Sequence, residues 1–139
     1  MPVHVYEVDR SEVKQIEKLM KYDPYLDPNL IPKSKEDKSG KTDPAVAEAI
    51  KKLREDRFAN VIYARHECEI KEGRYLGIEG EKFYFYVSAP EEFLALSDEK
   101  LSKEFKTVKR APPEIEQKYI KIKQEEEEKS NAGFGAIFG

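Results

Sequence analysis

Residues 61–88 read VIYARHECEIKEGRYLGIEGEKFYFYVS, and this stretch decides the fold class. Ile62, Ala64, His66, Cys68 and Ile70 alternate with Tyr63, Arg65, Glu67 and Glu69, the period-two pattern of a half-buried strand. Lys71-Glu72-Gly73 is a turn. Tyr75 to Ile78 reads as a short strand, and Glu79-Gly80-Glu81 turns it into a further strand, Lys82 to Ser88. In that strand Phe83, Phe85 and Val87 oppose Tyr84 and Tyr86. Tight turns between successive strands predict an antiparallel meander of three to four strands.

The flanking sequence supplies helices to cover it. Val3, Val5 and Val8 open the chain in a strand-like run. Asp9 then offers an N-cap, with Glu12 at capping-box spacing, and Val13, Ile16, Leu19 and Met20 repeat at helical intervals over residues 10–22. Asp23-Pro24 ends that helix, because the residue before proline avoids helical angles. Asp43 and Pro44 start a second helix, with Val46, Ile50 and Leu53 on one face. Pro90-Glu91-Glu92 start a third, carrying Phe93, Leu94 and Leu96. Ser97 is placed to cap a further segment with Leu101 and Phe105, and Pro112-Pro113 breaks it. Residues 114–124 fit a helix through Ile115, Tyr119 and Ile122. They also fit a strand through Ile120-Lys121-Ile122-Lys123, and the helical spacing is the better match. The prediction is a small single α+β domain over residues 1–124 and a flexible tail over 125–139.

Between the first two helices lies a long loop, residues 23–43. Packing of Tyr25, Leu26, Leu30 and Ile31 is expected to order its first half, and Lys33 to Lys41 is expected to move freely. Unstructured loops beyond about 12–15 residues are uncommon and usually functional or disordered.

Composition narrows the function classes. The chain has 139 residues, 38% of them charged, against a usual ~25%. No apolar run approaches the ~18 residues of a membrane span. The start, Met1-Pro2-Val3-His4-Val5, lacks the pattern of a secretory signal. A single cysteine makes no internal disulfide, which favours a cytoplasmic chain. The net charge of −3 resides entirely in Glu125 to Lys129, and the remaining 24 basic and 24 acidic residues balance. That excludes a uniformly basic nucleic-acid binder. Lys and Glu are abundant, while Asn, Gln, Met and Cys are scarce, as in hyperthermophile proteins.

Catalytic constellations are thin. His66 and Cys68 would share a strand face, but with Ile62, Ala64 and Ile70, and a buried cysteine usually acts as a small hydrophobe. A zinc site needs about four ligands, beyond what one Cys and two His provide. Asp23 and Asp27 read as turn residues. Gly73, Gly77 and Gly80 lie in hairpin turns, outside any strand-to-helix phosphate loop. No enzyme, cofactor or metal is expected. Two basic clusters remain as candidate phosphate or RNA contacts: Lys33, Lys35, Lys38 and Lys41 in the loop, and Lys100, Lys103, Lys106, Lys109 and Arg110 at three-residue spacing. The alternative is that both are solvated surface.

The last fifteen residues are EEEEKSNAGFGAIFG. The acidic run is expected to keep this segment hydrated and extended, and Gly133 and Gly135 make it too flexible to fold alone. Phe134, Ile137 and Phe138 stand at i, i+3 and i+4, the spacing of a helix-in-groove ligand. Gly133-Phe134-Gly135-Ala136-Ile137-Phe138-Gly139 resembles the C-terminal tail of archaeal ribosomal stalk proteins, with Phe134 and Ile137 in place of leucines. The resemblance is confined to residues 125–139. The rest does not resemble the helical stalk dimerisation domain, and the hinge is shorter than a stalk hinge. In that family the tail recruits translational GTPases and the ribosome-recycling ATPase. The resemblance therefore implies a non-enzymatic, translation-associated binding protein of an archaeon. One form is a ribosome-associated factor that contacts a ribosomal subunit, including its RNA, and controls subunit association or dormancy. Another is an adaptor that competes with the stalk for translation factors, and a small enzyme is the rival class. Self-docking of the tail on this domain, or on a homodimer partner, is the other reading of Phe134 to Phe138.

Overall fold

The structure, a computed structural model, describes residues 1–32 and 43–138, with side chains to residue 130. Four antiparallel strands form one sheet: β1 (Val3–Val8), β2 (Glu67–Glu72), β3 (Phe83–Ser88) and β4 (Lys109–Arg110), in the order β2-β3-β1-β4. The helices are α1 (Val13–Lys21), α2 (Pro44–Glu55), α3 (Glu91–Glu104) and α4 (Pro113–Phe138). The α+β class and the antiparallel sheet are those expected from the sequence. The connectivity differs, because β1 lies between β3 and β4, so the strands do not follow one another as a meander.

The two central strands are buried on both faces. On one face, Tyr6, Val8, Phe85 and Val87 pack with Val13 and Ile16 of α1 and Leu94 and Leu101 of α3. On the other, Val5, Tyr84 and Tyr86 pack against Leu76 and Tyr119, with Ile115 and Ile122 of α4 alongside. Tyr84 and Tyr86, expected opposite the core, are therefore core residues of a second layer. Phe83 at the strand end is only half-buried. Residues 113–124 are helical because Ile115, Tyr119 and Ile122 meet the sheet on one face.

Two predicted strand segments are turns instead. Tyr63–Arg65 is a short 3-10 turn. Val61, Ile62 and Tyr63 are buried consecutively, so the alternation fails before β2 begins at Glu67. Gly73–Leu76 is another 3-10 turn, closed by Gly77 at φ 72°, a left-handed conformation that strains other residues. Its core is tight: the Gly73 N–H donates to Lys82 O (3.0 Å), and the Ile78 N–H to Gly73 O (2.9 Å). A Cβ on Gly73 would meet Ile78 O at 3.2 Å and Lys82 O at 3.3 Å.

Two of the caps read from sequence form, Asp9 on the 3-10 turn Arg10–Glu12 that leads into α1 and Asp43 on α2. The Asp9 side chain accepts from the Ser11 N–H, and that of Asp43 from the Ala45 N–H. Glu12, however, does not fold back as a capping box would. It reaches the turn before β4, accepting from the backbone N–H groups of Thr107 (2.7 Å) and Lys106 (3.2 Å) and from the Thr107 hydroxyl. α3 is one helix: Ser97 caps nothing and is fully buried within it. In the long loop, Pro24 rather than Leu26 or Leu30 is buried; those leucines are 80% and 46% exposed.

Partial burial opposes the charge on Glu12, but the three hydrogen bonds outweigh it and hold its pKa below the ordinary carboxylate value. A depressed folded pKa contributes stability that is complete above the unfolded pKa and is lost as pH falls through the folded one. Glu12→Gln is therefore expected to cost stability at neutral pH and to narrow its gap from the parent below about pH 4. Urea denaturation across pH 3–7 checks this. A gap that stays constant with pH would refute it.

Candidate functional site

Four kinds of candidate surface can be placed on this frame. The first is the basic series on α3 and β4, which the fold disassembles. Lys100 is 9% exposed, and its ammonium donates to Phe58 O at 3.1 Å. Lys103 lies 5.0 Å from the Phe58 ring centroid, with Arg57 at the same distance. Lys109 is 3.6 Å from Glu7. Arg110 makes a fork with Glu116, both oxygens within 2.8 Å of Nη2, and lies 3.5 Å from Asp98. Lys106 is exposed. Lys100 and Arg110 are thus engaged within the body, while Lys103, Lys106 and Lys109 stay exposed, so the five do not act as one open stripe. Lys33, Lys35, Lys38 and Lys41 lie outside the described residues.

The second is a polar chain around Arg110. The Tyr6 hydroxyl lies 2.9 Å from Ser97 Oγ and 2.5 Å from Asp98 Oδ1, and the Tyr63 hydroxyl lies 2.7 Å from Ser97 Oγ. His4 Nδ1 is 2.9 Å from Asp98 Oδ1, while its Nε2 is 3.3 Å from Arg110 Nη1. A guanidinium has only donors. This geometry therefore suits a neutral imidazole that donates from Nδ1 to Asp98 and accepts at Nε2. Glu116 also accepts from the Val5 N–H at 3.0 Å. Ser, His and Asp are all present, yet His4 contacts Asp98 and Arg110 rather than Ser97. Ser97 itself is fully buried between two tyrosines. Burial, reinforced by Asp98, pushes the Tyr6 hydroxyl well above its ordinary range, so it is a donor here. The chain ties β1, α3, β4 and α4 together.

The third is the groove containing His66 and Cys68, about 260 Å³ in volume and shared with Met20 and Tyr63. The pair is not coupled. His66 packs its ring 4.2 Å from that of Phe93, and the Cys68 thiol donates to Tyr63 O at 3.5 Å. Burial, with Glu67 and Glu69 nearby, pushes the thiol up to about 11, so it stays protonated at neutral pH. Asp23 and Asp27 serve turns: Asp23 accepts from the Tyr25 N–H and pairs with Arg65, and Asp27 accepts from the Asn29 N–H. Among the described residues no cluster of three or more His, Cys, Asp or Glu is placed to hold a metal ion.

The fourth is α4. Lys123 pairs with Glu69 at 2.8 Å, the Tyr75 hydroxyl donates to Glu126, and residues 127–130 are exposed. The acidic run is helical, which corrects its reading as an extended hinge, and the helix continues to Phe138. The side chains of Phe134, Ile137 and Phe138 lie outside what the structure describes.

No protein-family model matches this chain, and no curated protein or solved structure matches it either. No helix among the described residues is long and apolar enough to cross a membrane.

Proposed function

We propose that this protein is a binding protein of the archaeal translation apparatus whose C-terminal helix presents a stalk-like peptide to a partner. The observation that supports this most is the course of α4. Its first part is fixed to the sheet by Tyr119 and the Glu116–Arg110 fork, and its acidic continuation leaves the body after Glu126. At ~1.5 Å per residue, the helix carries Phe138 about 18 Å beyond Glu126. Four consecutive glutamates keep that extension hydrated. The terminal peptide is thus offered to a groove on another molecule, with the i, i+3, i+4 spacing such a groove reads. A ribosome-associated factor and a competitor of the stalk both use this arrangement.

Gradient fractionation separates them. A ribosome-associated factor migrates with a subunit at low salt and is released as salt rises. A competitor of the stalk stays at the top of the gradient and co-purifies with a translational GTPase or the recycling ATPase. Recovery at the top of the gradient, with no translation factor bound, would refute the proposal.

A further inference from the structure

We propose that the polar cleft at one end of the sheet is a binding site for a phosphate monoester, whether on a free nucleotide or at the 5′ end of an RNA. Strand register places this cleft. Glu72, Phe83 and Val8 stand side by side on β2, β3 and β1. The chain leaves β1 and β2, and enters β3, at that level. Arg10, Arg74 and Lys82 are therefore brought to one sheet end from distant parts of the sequence. Together with Glu72, Glu81 and Phe83 they line a cleft of about 280 Å³.

Among the described residues the two arginines hold no carboxylate. Arg57, Arg65 and Arg110 each hold a carboxylate, at 3.1, 3.1 and 2.8 Å. Among the described residues neither Arg10 nor Arg74 has an acid within ion-pair distance, although Glu72 and Glu81 line the same cleft. Lys82 is held only loosely, 3.9 Å from Asp9. The supporting backbone is fixed beforehand by the Gly73–Lys82 and Ile78–Gly73 hydrogen bonds and by the Asp9 cap, which lowers the ordering cost of binding.

Charge and size choose the ligand. A guanidinium fork matches phosphate oxygens, and a monoester carries close to two negative charges where a diester carries one. Glu72 and Glu81 repel any phosphate, and the three cations outnumber them by only one, so the cleft can neutralise a single phosphoryl group and not a run of diesters. The volume admits one phosphoryl group and part of a nucleoside. Half-buried Phe83 offers an apolar wall for its ring. This inference is independent of the tail.

The test titrates the full chain calorimetrically with inorganic phosphate, with adenosine 5′-monophosphate, and with one short RNA bearing either a 5′-phosphate or a 5′-hydroxyl. Binding of the phosphate-bearing probes is expected, with the 5′-hydroxyl RNA at least ~10-fold weaker. The Arg10→Gln/Arg74→Gln protein should bind at least ~10-fold more weakly than the parent, at an unchanged melting temperature. Lys82→Gln serves as a second variant. Equal affinity for nucleotide and phosphorylated RNA would support the site with the free nucleotide as its ligand. Tighter binding of the phosphorylated RNA would support it with an RNA end. The inference is overturned if millimolar phosphate monoesters do not bind. It is equally overturned if the two RNAs bind alike, or if neither variant changes affinity.

Discussion

Phe85→Ala is expected to lower the unfolding free energy by about 3–5 kcal/mol, the range for deleting a buried Phe side chain. Phe85 is fully buried at the centre of β3, opposite Tyr6 on one neighbouring strand and Ile70 on the other. Its ring lies 6.0 Å from that of Tyr6 and 5.4 Å from that of Tyr63, both tilted, and Tyr63 meets Phe93 edge-on at 5.5 Å. Such aromatic pairs add about 0.5–1.5 kcal/mol beyond area burial. The loss should also reach the polar chain, because Tyr6 and Tyr63 both direct their hydroxyls at Ser97. A cavity beside them loosens two of its anchors. Urea denaturation measures this, with Phe83→Ala as the internal comparison. Phe83 is half-buried at the strand end, so its truncation should cost clearly less. Equal losses at the two positions, or a Phe85→Ala loss below about 1 kcal/mol, would contradict the packing described.

That comparison bears on what the sequence made legible. Phe83, Phe85 and Val87 were readable as one face because period two is local. That Tyr84 and Tyr86 are also buried was not readable, since it depends on α4, which arrives about 30 residues later. Asp9 and Asp43 cap as written because capping involves only near neighbours. Glu12 has the right spacing for a capping box, but its partners are 94 and 95 residues away, and no local pattern encodes them. The Lys100 series misleads for a geometrical reason. Steps of three residues fall short of a helical turn by about 60°, so successive lysines rotate around α3. Lys100 is consequently buried against Phe58 O while Lys103 is exposed. α3 then ends at Glu104, and Lys109 and Arg110 belong to a strand. The cleft of Arg10, Arg74 and Lys82 has no sequence signature at all. Only the register of three strands unites it.

Deleting Ala132–Gly139 is expected to leave the melting temperature almost unchanged and to abolish binding to a translational GTPase or to the recycling ATPase. The deletion spares the packed segment of α4, with Ile115, Tyr119 and Ile122 on the sheet, and it spares the Tyr75–Glu126 contact. Residues 127–130 are already exposed, so the body loses no buried surface before the cut. Gly133 and Gly135 each disfavour a helix by about 1 kcal/mol, and a short helical overhang is marginal in water. A groove that accepts Phe134, Ile137 and Phe138 would supply the missing stabilisation. Burying three such side chains yields about 1.5–3 kcal/mol each, against an ordering cost of roughly 2–5 kcal/mol, so the contact is no tighter than micromolar and exchanges readily. Calorimetric titration of the isolated 125–139 peptide, the full chain and the truncation into each factor tests this directly. The peptide should reproduce most of the affinity, because the proposal places the contact in the helix extension. Equal binding by full chain and truncation would end the stalk analogy. A truncation that melts many degrees lower would show that residues 132–139 pack on this protein's own domain or on a second copy. The apolar spacing would then belong to the fold rather than to a partner.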